Sequence, residues 1–98
     1  MFVYSIYDKV AGVFNTPFFQ VNDGVAIRSF MDLVRDEKSS VCRHPEDYEL
    51  WLIGKFLDDC GRIIEELEDS DGKVIKHFNK RLCSGLNFVR KEAEHANS

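Results

Sequence analysis

The stretch from His44 to Leu67 constrains the fold more than any other part of the chain. Tyr48 to Leu57 is rich in aromatic and branched side chains and stops at Asp58-Asp59-Cys60-Gly61, with Asp where a type I turn opens and Gly where it closes. Arg62 to Leu67 then returns as the partner strand, so a β-hairpin is predicted over residues 48 to 67. A bulge is expected at Gly54, with Tyr48, Leu50, Leu52 and Phe56 on one side and Glu49, Trp51, Ile53, Lys55 and Leu57 on the other. Neither side is purely polar, so something must cover part of each face.

Upstream, Phe2, Tyr4 and Ile6 alternate with Val3, Ser5 and Tyr7, which suits a strand from Phe2 to Asp8. Lys9 to Gly12 is short enough for a hairpin connection, and Val13 to Gln20 supplies a second strand. Pro17 lacks an amide proton, so that strand is expected at an edge or with a bulge. Asn22 or Asp23 caps a helix to about Arg35, with an apolar stripe of Ala26, Ile27, Phe30, Met31, Leu33 and Val34. Asp36 to Pro45 reads as a polar loop. The predicted class is α+β: a small, largely antiparallel sheet in β-β-α-β-β order over residues 1 to 67, with the helix across one face.

Residues 68 to 72 read as an acidic connector, and residues 73 to 93 as an additional C-terminal amphipathic helix, with fraying from Glu94 to Ser98. At about 100° per residue, Ile75, Phe78, Leu82, Leu86 and Val89 share one face, while Lys73, Lys76, His77, Lys80 and Lys91 share the other. Gly85 weakens such a helix by about 1 kcal/mol relative to Ala. The acids before its start and Arg90-Lys91 near its end suit the helix dipole.

A chain of 98 residues, 44% of them hydrophobic, is expected to form one domain with a core that needs no disulfide or metal. Apolar runs are too short to span a bilayer and the start lacks a signal segment, so a cytoplasmic location is predicted. Cys42, Cys60 and Cys83 have no C-x-x-C spacing and read as free thiols of a reducing compartment. The formal net charge of −4 counts against a generic, tight DNA binder. The distribution is polarised, however. Asp58 to Asp71 holds seven acids and one Arg, whereas Lys73 to Lys91 holds six Lys or Arg and no acid, which allows one cationic surface on an anionic molecule.

Four short strings stand in order along the first two thirds of the chain: Tyr4-Ser5-Ile6-Tyr7-Asp8, Pro17-Phe18-Phe19, Ala26-Ile27-Arg28-Ser29-Phe30 and His44-Pro45-Glu46-Asp47-Tyr48. In this order and spacing, residues 2 to 67 resemble the small nonstructural protein of gokushovirus-type microviruses, tailless bacteriophages with circular single-stranded DNA genomes. The resemblance implies a nonstructural accessory of phage DNA synthesis, described in that family as DNA-binding. It would act in the cytoplasm of the infected bacterium and stay outside the virion. No catalytic motif comes with it.

The residues themselves offer one main candidate surface. Lys73, Lys76, Lys80, Arg81 and Lys91 on the predicted second helix suit phosphates, with Phe88 at the flank to stack on a base; Arg28 and Lys55 are secondary candidates. Arg28 also has Asp32 four residues on, which predicts a surface ion pair. A second surface is the sheet face away from the first helix, where Tyr4, Phe14, Tyr48, Trp51 and Phe56 are available as a stacking platform. His44-Pro45-Glu46-Asp47 reads as a strand-entry turn, its three ionisable groups too close in sequence to converge on one atom. Zinc or calcium spacing, phosphate-cradling glycines and a nucleophile elbow are absent, so neither an enzyme nor a cofactor is predicted. The resulting expectation is a noncatalytic, single-stranded DNA-binding accessory. The alternative is an adaptor for a phage or host replication protein, with residues 58 to 71 as an acidic contact patch. A homodimer that pairs two basic helices reconciles the two.

Overall fold

The computed structural model describes residues 1 to 89. Strand β1 (Phe2–Asp8) alternates as its sequence implies. The Asp8 carboxylate accepts from the amides of Val10 at 3.0 Å and Ala11 at 3.1 Å, which closes the turn that follows. The return strand is split around Pro17 into β2 (Val13–Phe14) and β3 (Phe18–Gln20), both antiparallel to β1. In the gap, the buried Ser5 hydroxyl donates to the Asn15 carbonyl at 2.6 Å, so the break leaves no orphaned polar group there.

Helix α1 (Asp23–Arg35) is capped by Asn22, whose side chain accepts from the Val25 amide at 2.9 Å. It lays Ala26, Phe30 and Val34 on the sheet, where they join Tyr4, Val41, Leu50, Leu52, Phe78 and Cys83 in one core. Each fully buried side chain of the Leu or Phe kind contributes about 1.5–3 kcal/mol. The expected polar loop contains more structure than its composition implies. Ser39 caps α2 (Ser40–Arg43), accepting from the Cys42 amide at 3.0 Å while donating to the Leu33 carbonyl at 2.6 Å, and Val41 is thereby driven into the core. A 3-10 turn at Pro45–Asp47 leads into the next strand.

Strand β4 (Tyr48–Leu57) is the centre of the sheet, and β1 runs antiparallel along one of its edges. The expected bulge is there: Tyr4 faces Leu52 and Val3 faces Gly54, leaving Ile53 as the extra residue. Its consequence differs from expectation, because the extra residue swaps the faces beyond it. Phe56 leaves the side of Leu50 and Leu52 for the opposite face, and Lys55 moves onto the side of α1, opposite Phe2.

The hairpin partner β5 (Arg62–Ile64) pairs only with residues 55 to 57 and stops at Ile64, short of the predicted end at Leu67. Strands β6 (Glu66–Glu68) and β7 (Val74–His77) then pair with each other as a separate two-stranded arm, almost all of it exposed. Of residues 68 to 72, predicted as a connector, Glu68 ends β6 and the rest form the tip of that arm. The Asp69 carboxylate accepts from the amides of Asp71 and Lys73, both at 2.9 Å, and Gly72 takes φ 80°, a left-handed conformation that favours glycine. Strand β8 (Lys80–Ser84) returns along β4 beside residues 49 to 52, and a 3-10 turn at Gly85–Phe88 follows.

The predicted C-terminal helix is therefore replaced, through residue 89, by a hairpin arm, a sheet strand and a short turn. Its stripe does not behave as one face: Phe78 is buried, whereas Ile75 and Leu86 are 58% and 59% exposed. Val74 and Ile75 favour strand, Asp71-Gly72 is a turn signal, and β4 exerts the deciding pull. Leu50 and Leu52 are buried, and β5 does not reach them, so their free edge needs backbone partners that β8 supplies. Residues 90 to 93 of the predicted helix lie outside the described residues.

Candidate nucleic-acid interface

The return of the chain through β7 and β8 brings two lysines to one cleft on the α1 side of the sheet, and the bulge in β4 sets a third, Lys55, over the rings that bound it. The cleft has a volume of about 360 Å³ and is bounded by Phe2, Leu52, Phe78, Lys76, Lys80 and the start of α1 at residues 22 to 24. Lys55 reaches the same rings, its Nζ lying 5.7 Å from the centre of Phe2 and 5.9 Å from that of Phe78. Lys76 Nζ lies 5.3 Å from the centre of Phe78. Such contacts are worth about 0.5–1 kcal/mol at exposed sites, and they orient an ammonium without cancelling its charge.

Among the described residues, none of Lys55, Lys76 and Lys80 is in an ion pair. The carboxylate of the cleft is Asp23, which accepts from the buried Tyr4 hydroxyl at 2.7 Å. Burial, that hydrogen bond and the nearby negative charge together raise the Tyr4 pKa well above the ordinary phenol value. His77 also borders the cleft, with Nδ1 3.5 Å from Glu66 Oε1. Three ammonium groups around one opening can hold an anionic group such as a phosphate.

The other candidates are dispersed. Lys73 stands at the arm tip, next to the Asp69 turn. Arg81 points to the opposite face of the sheet, where its Nε donates to Glu49 Oε2 at 2.7 Å, so its charge is neutralised. Phe88 is no flanking ring: it packs against Phe30 at 6.3 Å, and its carbonyl accepts from Arg35 Nε at 3.2 Å. Arg28 is exposed on α1, and the expected bridge to Asp32 is not among the ion pairs of the described residues. Lys91 lies outside the described residues. Sequence reasoning missed Phe2 and Phe78, which read as strand and helix core positions; only pairing across the sheet sets them under the lysines.

The proposed stacking residues divide between the two faces. Tyr4 is fully buried under α1, and Tyr48 is on the same side, its hydroxyl 3.4 Å from Ser40 Oγ. Phe14, Trp51 and Phe56 are on the open face, joined by Tyr7 and Phe19: ring centres are 4.6 Å apart for Tyr7 and Phe14, and 5.8 Å for both Phe14 with Trp51 and Phe19 with Phe56. The sheet thus separates these rings from the three lysines. At the entry to β4, the 3-10 turn does bring ligand atoms of His44, Glu46 and Asp47 within 4.8 Å of one another, contrary to the sequence expectation, on an exposed turn.

An antiparallel sheet with one helical layer, an open aromatic face and a lysine-rimmed cleft defines a small α+β protein. The family model described as Phage ORF5 protein matches residues 1–88, and the chain belongs to that family. The match extends past the residues 2 to 67 that carried the resemblance and takes in β8. Protein ORF5 of Chlamydia phage 1 is 41% identical over 66 residues, covering 63% of this chain and 69% of that protein. These relationships make it a small phage protein of the microvirus type. No solved structure matches the chain. No helix among the described residues is long and apolar enough to cross a membrane.

Proposed function

We propose that the cleft formed by Lys55, Lys76 and Lys80 binds the phosphate backbone of single-stranded DNA, as a noncatalytic step of phage genome synthesis. The observation that carries this reading is that Lys76 and Lys80 line one cleft and Lys55 lies over the same Phe2 and Phe78 rings, none of the three in an ion pair among the described residues. Lys55 lies over Phe2 and Phe78 and Lys76 over Phe78, so those rings serve as supports for these cations, and recognition is of backbone charge with little sequence preference.

Fluorescence anisotropy of a labelled oligo-dT across a salt series tests it. Three phosphate contacts to a single strand give a slope of about −2 in log affinity against log salt. Reversing Lys76 and Lys80 to Glu should weaken binding by more than about 25-fold near 0.1 M salt and flatten the slope. Arg81→Glu, which changes a residue on the other face, serves as the control. Unchanged binding by the double variant removes the cleft from the site.

The adaptor reading has one observation of its own. The exposed arm and the neighbouring turn display Asp58, Asp59, Glu65, Glu66, Glu68, Asp69 and Asp71, a surface suited to a basic patch on a replication protein. Binding of such a protein that is lost on neutralising Glu66 and Glu68, with oligo-dT affinity unreduced, would favour it.

A further inference from the structure

Among the described residues, α1 packs on one face of the sheet, and on the opposite face Val3 and Ser5 are buried while larger apolar side chains around them remain exposed. Phe14, Trp51, Phe19, Ile53, Phe56 and Ile63 run along it, and a shallow groove of roughly 520 Å³ opens between Phe19, Ile53 and Ile63. Phe14 is 49% exposed, Phe19 46% and Ile63 57%. A contiguous strip of this kind is unusual on a monomer's surface.

We propose that this face is the contact surface between two copies of the chain. Charge selects the occupant. The ionised groups on the face are Glu49 and Arg81, which neutralise each other, and the Trp51 indole donates to the remaining oxygen of Glu49 at 3.2 Å. Glu65 stands at the rim of the groove, and the three lysines of the cleft are on the other side of the sheet. Among the described residues a polyanion finds no free cation here, and a basic peptide finds only Glu65 at the rim. A second copy presents an equally apolar surface whose centre carries the neutralised Glu49–Arg81 pair, so two such faces meet with Glu65 kept to the rim and with less repulsion than a net charge of −4 imposes elsewhere.

The size of the strip agrees. With Phe14, Phe19 and Ile63 about half exposed and Trp51, Ile53 and Phe56 partly so, the strip offers roughly 400 Å² of apolar surface per copy, and with its rim a pair buries roughly 1,000 Å², near the lower bound for a specific interface. Two sheets stacked face to face about 10 Å apart put both α1 layers on the outside. Both lysine clefts then stay open to solvent, so self-association and oligonucleotide binding do not compete.

Sedimentation velocity of the full chain over a concentration series tests the interface, together with emission from Trp51, the single tryptophan, which stands on it. The expected result is a monomer–dimer equilibrium in the micromolar range, with Trp51 emission moving to shorter wavelength as the dimer forms. Phe19→Glu with Ile63→Glu should weaken dimerisation by at least about 30-fold, with the circular dichroism spectrum unchanged. Phe14→Lys, on the short edge strand β2, provides the same readout if the double variant does not fold. The proposal is overturned by a wild-type chain that stays monomeric at every concentration, by variants that fold and still dimerise as wild type, or by oligo-dT that quenches Trp51 in a monomer.

Discussion

Tyr4 ties the core to the first turn of α1, and its hydroxyl makes the one hydrogen bond found between β1 and that helix cap region. Burial, donation to Asp23 and the charge of that carboxylate all favour the neutral phenol, so the folded-state pKa stands above the unfolded value of 10.0. A group held protonated in this way contributes its full stability below the unfolded pKa, and the contribution is lost as pH rises from there towards the folded value. Tyr4→Phe should cost about 1–2 kcal/mol at neutral pH, because Asp23 loses a donor. The gap between wild type and variant should narrow above about pH 10, where only the wild type carries this alkaline loss. Urea midpoints at neutral and alkaline pH provide the check. Cys83 is raised in the same direction by burial, with the positive charge of Arg81 lowering it in part.

At the scale of elements, the final 3-10 turn and the arm present opposite cases. A Cβ at Gly85 would collide with the Pro45 carbonyl, so the turn that ends β8 is pressed directly against the turn that starts β4. Gly85→Ala should destabilise the fold by about 1–3 kcal/mol, measured by denaturant unfolding, because backbone rather than a flexible side chain must yield. The arm has no such contact along most of its length. Among its strand residues only Val74 is better than exposed, and a lone two-stranded ribbon is marginal in water. Native-state hydrogen exchange should therefore show weak protection for the amides of β6 and β7, and protection close to the global value for β1 and β4. Strong protection of the arm in the isolated protein would contradict this picture.

For the whole molecule, the arm and the sheet have separable roles. The sheet, α1 and the final turn contain the core, whereas the arm contributes Phe78 at its base and Lys76 to the cleft. The Phe78 amide donates to the Glu65 carbonyl at 2.7 Å, closing the base of the arm. Replacing residues 67 to 76 with a tight turn should leave cooperative thermal unfolding within a few degrees of wild type. Oligo-dT affinity should fall by roughly fivefold near 0.1 M salt, the share of one phosphate contact. A melting curve and an anisotropy titration on one sample decide both parts. A loss of cooperative folding would show that the arm belongs to the core.

The elements legible from sequence are those specified by local pattern: β1 by alternation, α1 by the Asn22 cap and its apolar stripe, and β4 by its branched and aromatic run ending at the Asp58 turn. The four strings that mark the family fall on or beside these elements. Beyond Glu65 the reading from sequence fails: Ile75, Phe78 and Leu82 fit the helical stripe that is predicted for residues 73 to 93, but Val74, Ile75 and the Asp71-Gly72 turn go into strands and their connection. The unpaired edge of β4 decided between them, and such an edge exists only once the sheet has formed. The cleft has the same origin. Lys76 and Lys80 stood out as cations in sequence, but Lys55 joins them through one extra residue at Ile53, and Phe2 lies beneath through strand pairing across more than fifty residues. Local periodicity determines the state of a segment, whereas shared faces and free edges depend on which strands pair, and that is a property of the assembled sheet alone.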